Sequence, residues 1–311
     1  MSSSESRKWL VFGSTGWIGG QIIELLSNKE KLLSSSTVPK EYWIKINDDP
    51  VDYIEVVAAK SRLDDVSAME QEIDAVKPHR VFNCAGLTGR PNVDWCEDHQ
   101  KEVIRVNVIG TLALTDICAK RTIHITHMAT GCIYSYDAQH PLGSGIGFTE
   151  TDPPNFQGSF YSRTKGYVDQ LFSSYDNVLV LRLRMPISGD LHPRSFVTKI
   201  SQYPKVVNIP NSMSVLPDLL PVGINMAYRG LTGTFNYVNP GVISHNQVLD
   251  LYIKYVNPKF VYTNFTEEEQ SKILKAGRSN NELDCTKLLK LYPDIPHILE
   301  AVETQMKAVN K

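Results

Sequence analysis

Several protein classes are excluded by what the sequence lacks. No apolar run approaches the roughly 20 residues a membrane-crossing helix needs; candidates such as Val178 to Leu181 are cut by Arg182 and Arg184, so no transmembrane segment is expected. Excess charge is missing too, since 32 basic residues against 34 acidic ones leave a net charge of −2, which offers nucleic acid no electrostatic footprint. Cysteines are few: Cys84, Cys96, Cys118, Cys132 and Cys285 are odd in number and contain no C-x-x-C pair. Neither a disulfide framework nor a metal site is expected from them. The polar start, Met1 to Lys8, lacks the charged and apolar regions of a secretory signal, and a cytoplasmic location is the expectation.

What is present is an ordinary globular composition, 42% hydrophobic and 21% charged, in 311 residues. That length suits one large domain or two intimate ones. Through the first 185 residues short apolar runs (Trp9 to Phe12, Tyr53 to Val57, Arg80 to Cys84, Ile123 to Met128, Val178 to Leu183) alternate with stretches whose apolar residues recur at three and four. The latter, Gly19 to Leu26, Asp65 to Val76, Glu102 to Ala119 and Arg163 to Ser174, read as helices. The pattern predicts an α/β fold with a doubly wound parallel sheet. Asn28 to Pro50 is long for a helix-to-strand connection and reads as a surface insertion, and Ser135 to Gly158 as a loop able to close over a ligand. After Pro186 the rhythm changes, with short strands (Val206 to Ile209, Thr234 to Val238) and helices (Val215 to Arg229, His245 to Val256, Pro296 to Ala308). Residues 1–188 are therefore expected to form a dinucleotide-binding domain. Residues 189–311 are expected to form mainly a smaller substrate lobe, with segments around 212–232 returning to the first domain.

The run Gly13-Ser14-Thr15-Gly16-Trp17-Ile18-Gly19-Gly20 follows the first strand directly and opens a helix. Glycines at that spacing allow a tight turn and let backbone amides approach a pyrophosphate, which the helix N-terminus also attracts. A dinucleotide is expected. The acidic residue that would bind a ribose 2′-hydroxyl is not evident after the second strand, where Lys60-Ser61-Arg62 follows; basic groups suit a 2′-phosphate, so NADPH is favoured and NADH stays open. Gly143-Ser144-Gly145-Ile146-Gly147 follows no strand and opens no helix, and reads as a mobile loop.

Tyr161 and Lys165 stand four apart, on one face of a helix. The ammonium is expected to favour the phenolate and lower the phenol's pKa, so that Tyr161 can exchange a proton with a carbonyl oxygen as hydride arrives. Thr130 lies just past a strand, at the edge where open α/β sheets bind ligands, and its hydroxyl suits the same carbonyl. If extended backbone continues, Cys132 projects from the same face as Thr130. Cys84 and Cys118 read as small core residues.

These features together resemble the extended short-chain dehydrogenase/reductase superfamily, with its Rossmann-type sheet. Longer strings, Gly16-Trp17-Ile18-Gly19-Gly20, Ala85 to Glu97, Ala129-Thr130-Gly131-Cys132-Ile133, Arg184-Met185-Pro186-Ile187-Ser188, Asn208 to Met213 and Arg278 to Glu282, look like plant-type nucleotide-rhamnose epimerase/reductases over nearly the whole chain. The resemblance implies epimerisation of UDP-4-keto-6-deoxy-D-glucose at C3 and C5, then NADPH-dependent reduction at C4 to UDP-L-rhamnose. It implies Cys132 and Lys199 as the proton-exchanging pair, with Thr130, Tyr161 and Lys165 supporting reduction. The cofactor is expected at Gly13, Thr15, Gly16, Trp17, Ile18, Gly19, Arg62, Leu63, Ala85, Gly86, Tyr161 and Lys165. Thr88, Arg90, Asn92, Arg278 and Asn280 are expected at the nucleotide-sugar. Asn107 is similar to the superfamily's helix asparagine that organises the lysine. With one dinucleotide loop, a separate UDP-glucose 4,6-dehydratase is expected to supply the substrate, and the superfamily's habit implies a homodimer. A reductase without epimerase activity and a non-catalytic NADP-binding regulatory subunit remain the rivals.

Overall fold

Alternation along the first strand decides which layer each side chain enters. Trp9 and Val11 join one apolar cluster and Leu10 and Phe12 another, as successive strand residues must. A strand buried on both faces needs helices on both sides of its sheet, and the computed structural model, which describes residues 7–43 and 54–309, has them. The strands are β1 (Arg7–Phe12), β2 (Ile54–Ala58), β3 (Arg80–Asn83), β4 (His124–Thr130), β5 (Val178–Leu183), β6 (Lys205–Val206), β7 (Gly233–Asn236) and β8 (Thr263–Asn264). The helices are α1 (Trp17–Ser27), α2 (Lys29–Leu33), α3 (Val66–Val76), α4 (Trp95–Asp98), α5 (Gln100–Val103), α6 (Thr111–Lys120), α7 (Phe160–Leu171), α8 (Phe196–Ile200), α9 (Leu216–Tyr228), α10 (His245–Tyr255), α11 (Glu267–Ser271), α12 (Thr286–Leu289) and α13 (Ile298–Ala308).

Six strands form one parallel sheet in the order β2-β1-β3-β4-β5-β7. α1 and α9 supply the cluster on one face; α3, α6 and α7 supply the other. Register aligns Phe12 with Asn83 and Thr130 with Leu183, so the strands finish along one edge, where a doubly wound sheet binds ligands. Beyond that edge a third apolar cluster, with Ile187, Val197, Met213, Val248 and Ile298, builds a smaller lobe from α8, α10 and α13. Among the described residues no helix is long and apolar enough to cross a membrane.

Four local expectations change. The strand near residue 234 is not part of the second lobe: β7 pairs with β5 and completes the main sheet. The strand expected at Val206 to Ile209 is the two-residue β6, paired with β8. The surface insertion is in its described part a packed segment, because Leu32, Val38 and Trp43 are buried in the core and the Thr37 hydroxyl donates to Asp218 O at 2.7 Å. Residues 44–50 of it lie outside the described residues, as does Tyr53. Finally, Glu102 to Ala119 is not one α-helix: Ile104–Gly110 is π-helical. That wider turn lets the Asn107 side chain clamp the Leu87 backbone, accepting from its N–H and donating to its carbonyl, each at 2.8 Å. At Gly110 a Cβ would sit 2.0 Å from Leu63 O, a contact only glycine permits.

α7 is tied to the sheet by a nearly fully buried ion pair. Arg182 of β5 donates from Nε to Asp169 Oδ1 at 3.0 Å and from Nη1 to the Tyr134 hydroxyl at 2.9 Å. Removing one partner strands a buried charge. Asp169→Ala is therefore expected to lower unfolding free energy by about 3–5 kcal/mol in urea titrations.

Candidate active site

The phosphate-type loop is shaped by contacts that exclude side chains. A Cβ at Gly13, whose φ is 73°, would lie 2.6 Å from Ala85 N, and one at Gly19 would lie 2.2 Å from Gly13 O. Removing both Cβ atoms brings β1, the end of β3 and the start of α1 together, with Thr15 and Gly16 exposed beside them. Gly16 caps α1 without a side-chain hydrogen bond, and no acidic residue stands in the first turn. The opening N–H groups of Trp17 and Ile18 thus have no intrahelical acceptor, an arrangement suited to a diphosphate. The Ile18 side chain itself packs on the core. Ala85 N–H donates to Asn83 Oδ1 at 3.0 Å, which fixes the Ala85-Gly86 stretch beside the loop.

At the end of β2 the structure supplies an acid that sequence proximity hid. Glu72 of α3 accepts from the N–H groups of Lys60 and Ser61, both at 2.8 Å. Burial pushes the carboxyl's pKa up, but the Ser61 hydroxyl and these backbone donors more than offset that and hold it below the usual range. Arg62 is exposed and paired with Asp64 at 3.0 Å. Leu63 is 3% exposed, so only its backbone faces the site.

At the carboxyl edge Thr130, Cys132, Tyr161 and Lys199 converge. Extended backbone ends at Thr130: the next residues turn, and the Cys132 N–H donates to Thr130 Oγ1 at 3.1 Å. The turn, rather than strand alternation, brings the thiol back beside Thr130, and Cys132 is left half-buried. The Thr130 hydroxyl stands beside the Tyr161 phenol. Burial, and after it the Cys132 sulfur, raise the phenol's pKa, while the Thr130 hydroxyl by itself acts to lower it; the expected lowering by Lys165 is overturned and Tyr161 is held as a protonated acid. Burial likewise holds the Lys165 ammonium below the ordinary lysine range, with Asp169 pulling back. His127 beneath it is neutral, its pKa dropped to about 3 by burial and then by Lys165. Lys199 on α8 is lowered by burial first and Arg194 second, while Cys132 raises it, placing amine and thiol within electrostatic reach.

Of the nucleotide-sugar residues, Thr88 and Arg90 are exposed in the cleft, but three others are engaged inside the protein. Asn92 Oδ1 accepts from Asp94 N–H at 2.8 Å in a local turn. Arg278 is paired with Asp94 at 2.9 Å and also donates to Ala276 O. The Asn280 side chain is buried, accepting from Asn211 and donating to Glu267, each at 3.0 Å.

Two arginines were not singled out from the sequence. Arg184 is fully buried yet has no carboxylate partner among the described residues; its guanidinium donates to Gly131 O, Asn211 Oδ1, Ser212 O and both oxygens of Ser279. Arg194 begins the turn into α8 and donates to Thr88 Oγ1 at 3.3 Å. Neither sits in a spacing pattern, and only the crossover after β5, where the chain leaves the sheet edge, hinted at them.

Comparison with known proteins matches residues 9–200 to the NAD dependent epimerase/dehydratase family. A bifunctional dTDP-4-dehydrorhamnose 3,5-epimerase/dTDP-4-dehydrorhamnose reductase of Arabidopsis thaliana is 50% identical over 302 residues, covering 97% of this chain and 93% of that protein. A trifunctional UDP-glucose 4,6-dehydratase/UDP-4-keto-6-deoxy-D-glucose 3,5-epimerase/UDP-4-keto-L-rhamnose-reductase of the same plant is 51% identical over 307 residues, 98% of this chain. The chain spans 42% of that relative's length. The crystal structure of a UDP-rhamnose synthase from Acanthamoeba polyphaga mimivirus superposes with a TM-score of 0.84 at 41% identity, covering 96% of this chain and 98% of that one.

The loop geometry predicts that Gly19→Ala, by forcing Gly13 O away, weakens nicotinamide dinucleotide binding by at least about tenfold in fluorescence titrations, the loss of one or two charge-assisted hydrogen bonds.

Proposed function

The chain belongs to the NAD dependent epimerase/dehydratase family, and from that premise we propose that it is a bifunctional 3,5-epimerase/4-reductase converting UDP-4-keto-6-deoxy-D-glucose to UDP-L-rhamnose with NADPH. The observation that carries this reading is the half-buried Cys132 thiol beside the Thr130–Tyr161 pair and within electrostatic reach of Lys199. A reductase alone needs no thiol and amine there.

A C4 ketone acidifies the hydrogens on both C3 and C5, so one site serves both inversions. Inversion needs a proton removed from one face and returned to the other, hence a base and an acid on opposite sides of the ring. Lys199, whose depressed pKa raises its free-amine fraction, removes the proton, and Cys132 returns one. Thr130 donates a hydrogen bond to O4, and Tyr161 delivers its proton there as the oxygen gains charge. Lys165, one turn along the same face of α7, stabilises in its ammonium form the phenolate left behind. When bound along the Gly13–Gly19 loop, the cofactor supplies hydride to C4. Arg62 is the cation for a 2′-phosphate; Glu72, by occupying the two N–H groups at Lys60 and Ser61, is the feature that favours NADH as the second choice.

The keto-sugar comes from a UDP-glucose 4,6-dehydratase, an activity named in the trifunctional relative. The protein acts in the cytoplasm as a homodimer, joined through the exposed apolar side chains of Tyr167 and Leu171 on α7 and Ile104 and Ile109 beside it.

Incubation with UDP-4-keto-6-deoxy-D-glucose and NADPH in deuterated water tests the scheme. Deuterium is expected at both C3 and C5, with one NADPH consumed per product; consumption without deuterium leaves a reductase only. Cys132→Ala is expected to abolish inversion at C3 and C5 while still reducing UDP-4-keto-L-rhamnose. Because only free amine accepts the C–H proton, exchange rises with pH along a limb centred below the ordinary lysine value of 10.5, and Lys199→Arg removes that limb. Replacing Arg62 by Ala is expected to lower kcat/KM for NADPH by about tenfold and leave NADH unchanged, the loss of one charge-assisted contact.

A further inference from the structure

The cleft holds more positive charge than proton transfer uses. Arg194 is within electrostatic reach of both Arg90 and Lys199, and among the described residues no carboxylate is paired with either Arg194 or Lys199. Arg278 differs, since Asp94 already takes its charge. Like charges held together in a partly desolvated cleft repel one another, and an anion relieves that repulsion.

The segment bearing Arg194 is placed rather than loose. Trp17 at the start of α1 donates from Nε1 to Asp190 at 2.9 Å, and the His192 ring stacks on its indole at 5.1 Å and 4°. Leu191 between them adopts a left-handed backbone, φ 48°, which turns both neighbours onto one indole. His192 Nδ1 then accepts from the Arg194 N–H at 3.1 Å, and the guanidinium reaches Thr88. One guanidinium N–H is used at Thr88, leaving most of a planar donor fork for a phosphate. The cofactor's diphosphate has its own cradle at Gly13–Gly19, so this second cationic group faces a second anion.

We infer that Arg194, flanked by Arg90 and Lys199, binds the diphosphate of the nucleotide-sugar, an assignment that rests on the function proposed above and adds a residue to its substrate site. Its position just before the Ser195 cap of α8, which carries Lys199, ties diphosphate binding to the placement of the proton-exchanging amine.

Calorimetric titration of the full chain, saturated with NADP+, against UDP, dTDP and uridine tests this. Arg194→Ala is expected to weaken UDP and dTDP by about tenfold to hundredfold and to leave uridine and NADP+ unchanged. Arg194→Gln, which keeps the side-chain bulk, should show the same selective loss; unchanged NADP+ affinity confirms an intact fold in either variant. Undiminished UDP and dTDP affinity, or a loss that falls on NADP+ or equally on uridine, overturns the inference. Wild-type turnover of the keto-sugar separates the two claims. Turnover with undiminished diphosphate affinity in the variants removes Arg194 alone, whereas no turnover with the selective loss intact removes the epimerase/reductase reading and keeps the diphosphate site.

Discussion

The hold of Arg184 on Gly131 O is the interaction on which the rest of the site depends. Pairing of β4 with β5 sets Thr130 beside Leu183, and the Gly131 N–H continues the ladder to Leu183 O at 3.0 Å. Arg184 follows immediately, and its guanidinium reaches back to the Gly131 carbonyl at 3.1 Å. There is room for this only because residue 131 has no side chain: a Cβ would lie 3.0 Å from Arg184 Cγ. The chain must turn at that point, and the turn delivers Cys132 to the cleft. A guanidinium with wholly neutral partners is costly to bury, so its hydrogen bonds have to be complete. They come from Asn211, Ser212 and Ser279, which makes the second lobe a condition of the sheet edge's geometry.

The same economy of position operates on the other side of the cleft. The segment leaving β5 returns over the phosphate-type loop, meets Trp17, and enters α8 with Arg194 and Lys199. One crossover segment therefore ties Arg194 and Lys199 to the Gly13–Gly19 loop. The π-helical turn at Ile104–Gly110 has a comparable effect beneath it, since Asn107 fixes Leu87 and with it the exposed Thr88. Rigid backbone contacts set the polar groups in advance, which limits the reorganisation that binding and proton transfer require.

Electrostatic surroundings divide the labour among groups of similar type. Burial keeps Tyr161 protonated and shifts Lys165 and Lys199 downward, while the Cys84 thiol, beside the phosphate-type loop, is pushed up to about 12. Cys132 has the same intermediate exposure but sits on the turn after Thr130, beside the Tyr161 phenol.

By itself the sequence determined the α/β order of strands and helices, the glycine loop that opens α1, and the Tyr161–Lys165 spacing, because each is written in local periodicity or in residues close along the chain. It also carried the strings that mark Thr130 and Cys132. What only the tertiary structure decided depends on partners far apart in sequence. Glu72 came to the end of β2, β7 joined the main sheet, Asn280 and Arg278 were taken up by Glu267 and Asp94, and Arg184 and Arg194 acquired their surroundings. Burial set the direction of the Tyr161 shift against the expectation drawn from Lys165. Desolvation and hydrogen-bond saturation are properties of a three-dimensional neighbourhood, and no spacing along one chain segment encodes them.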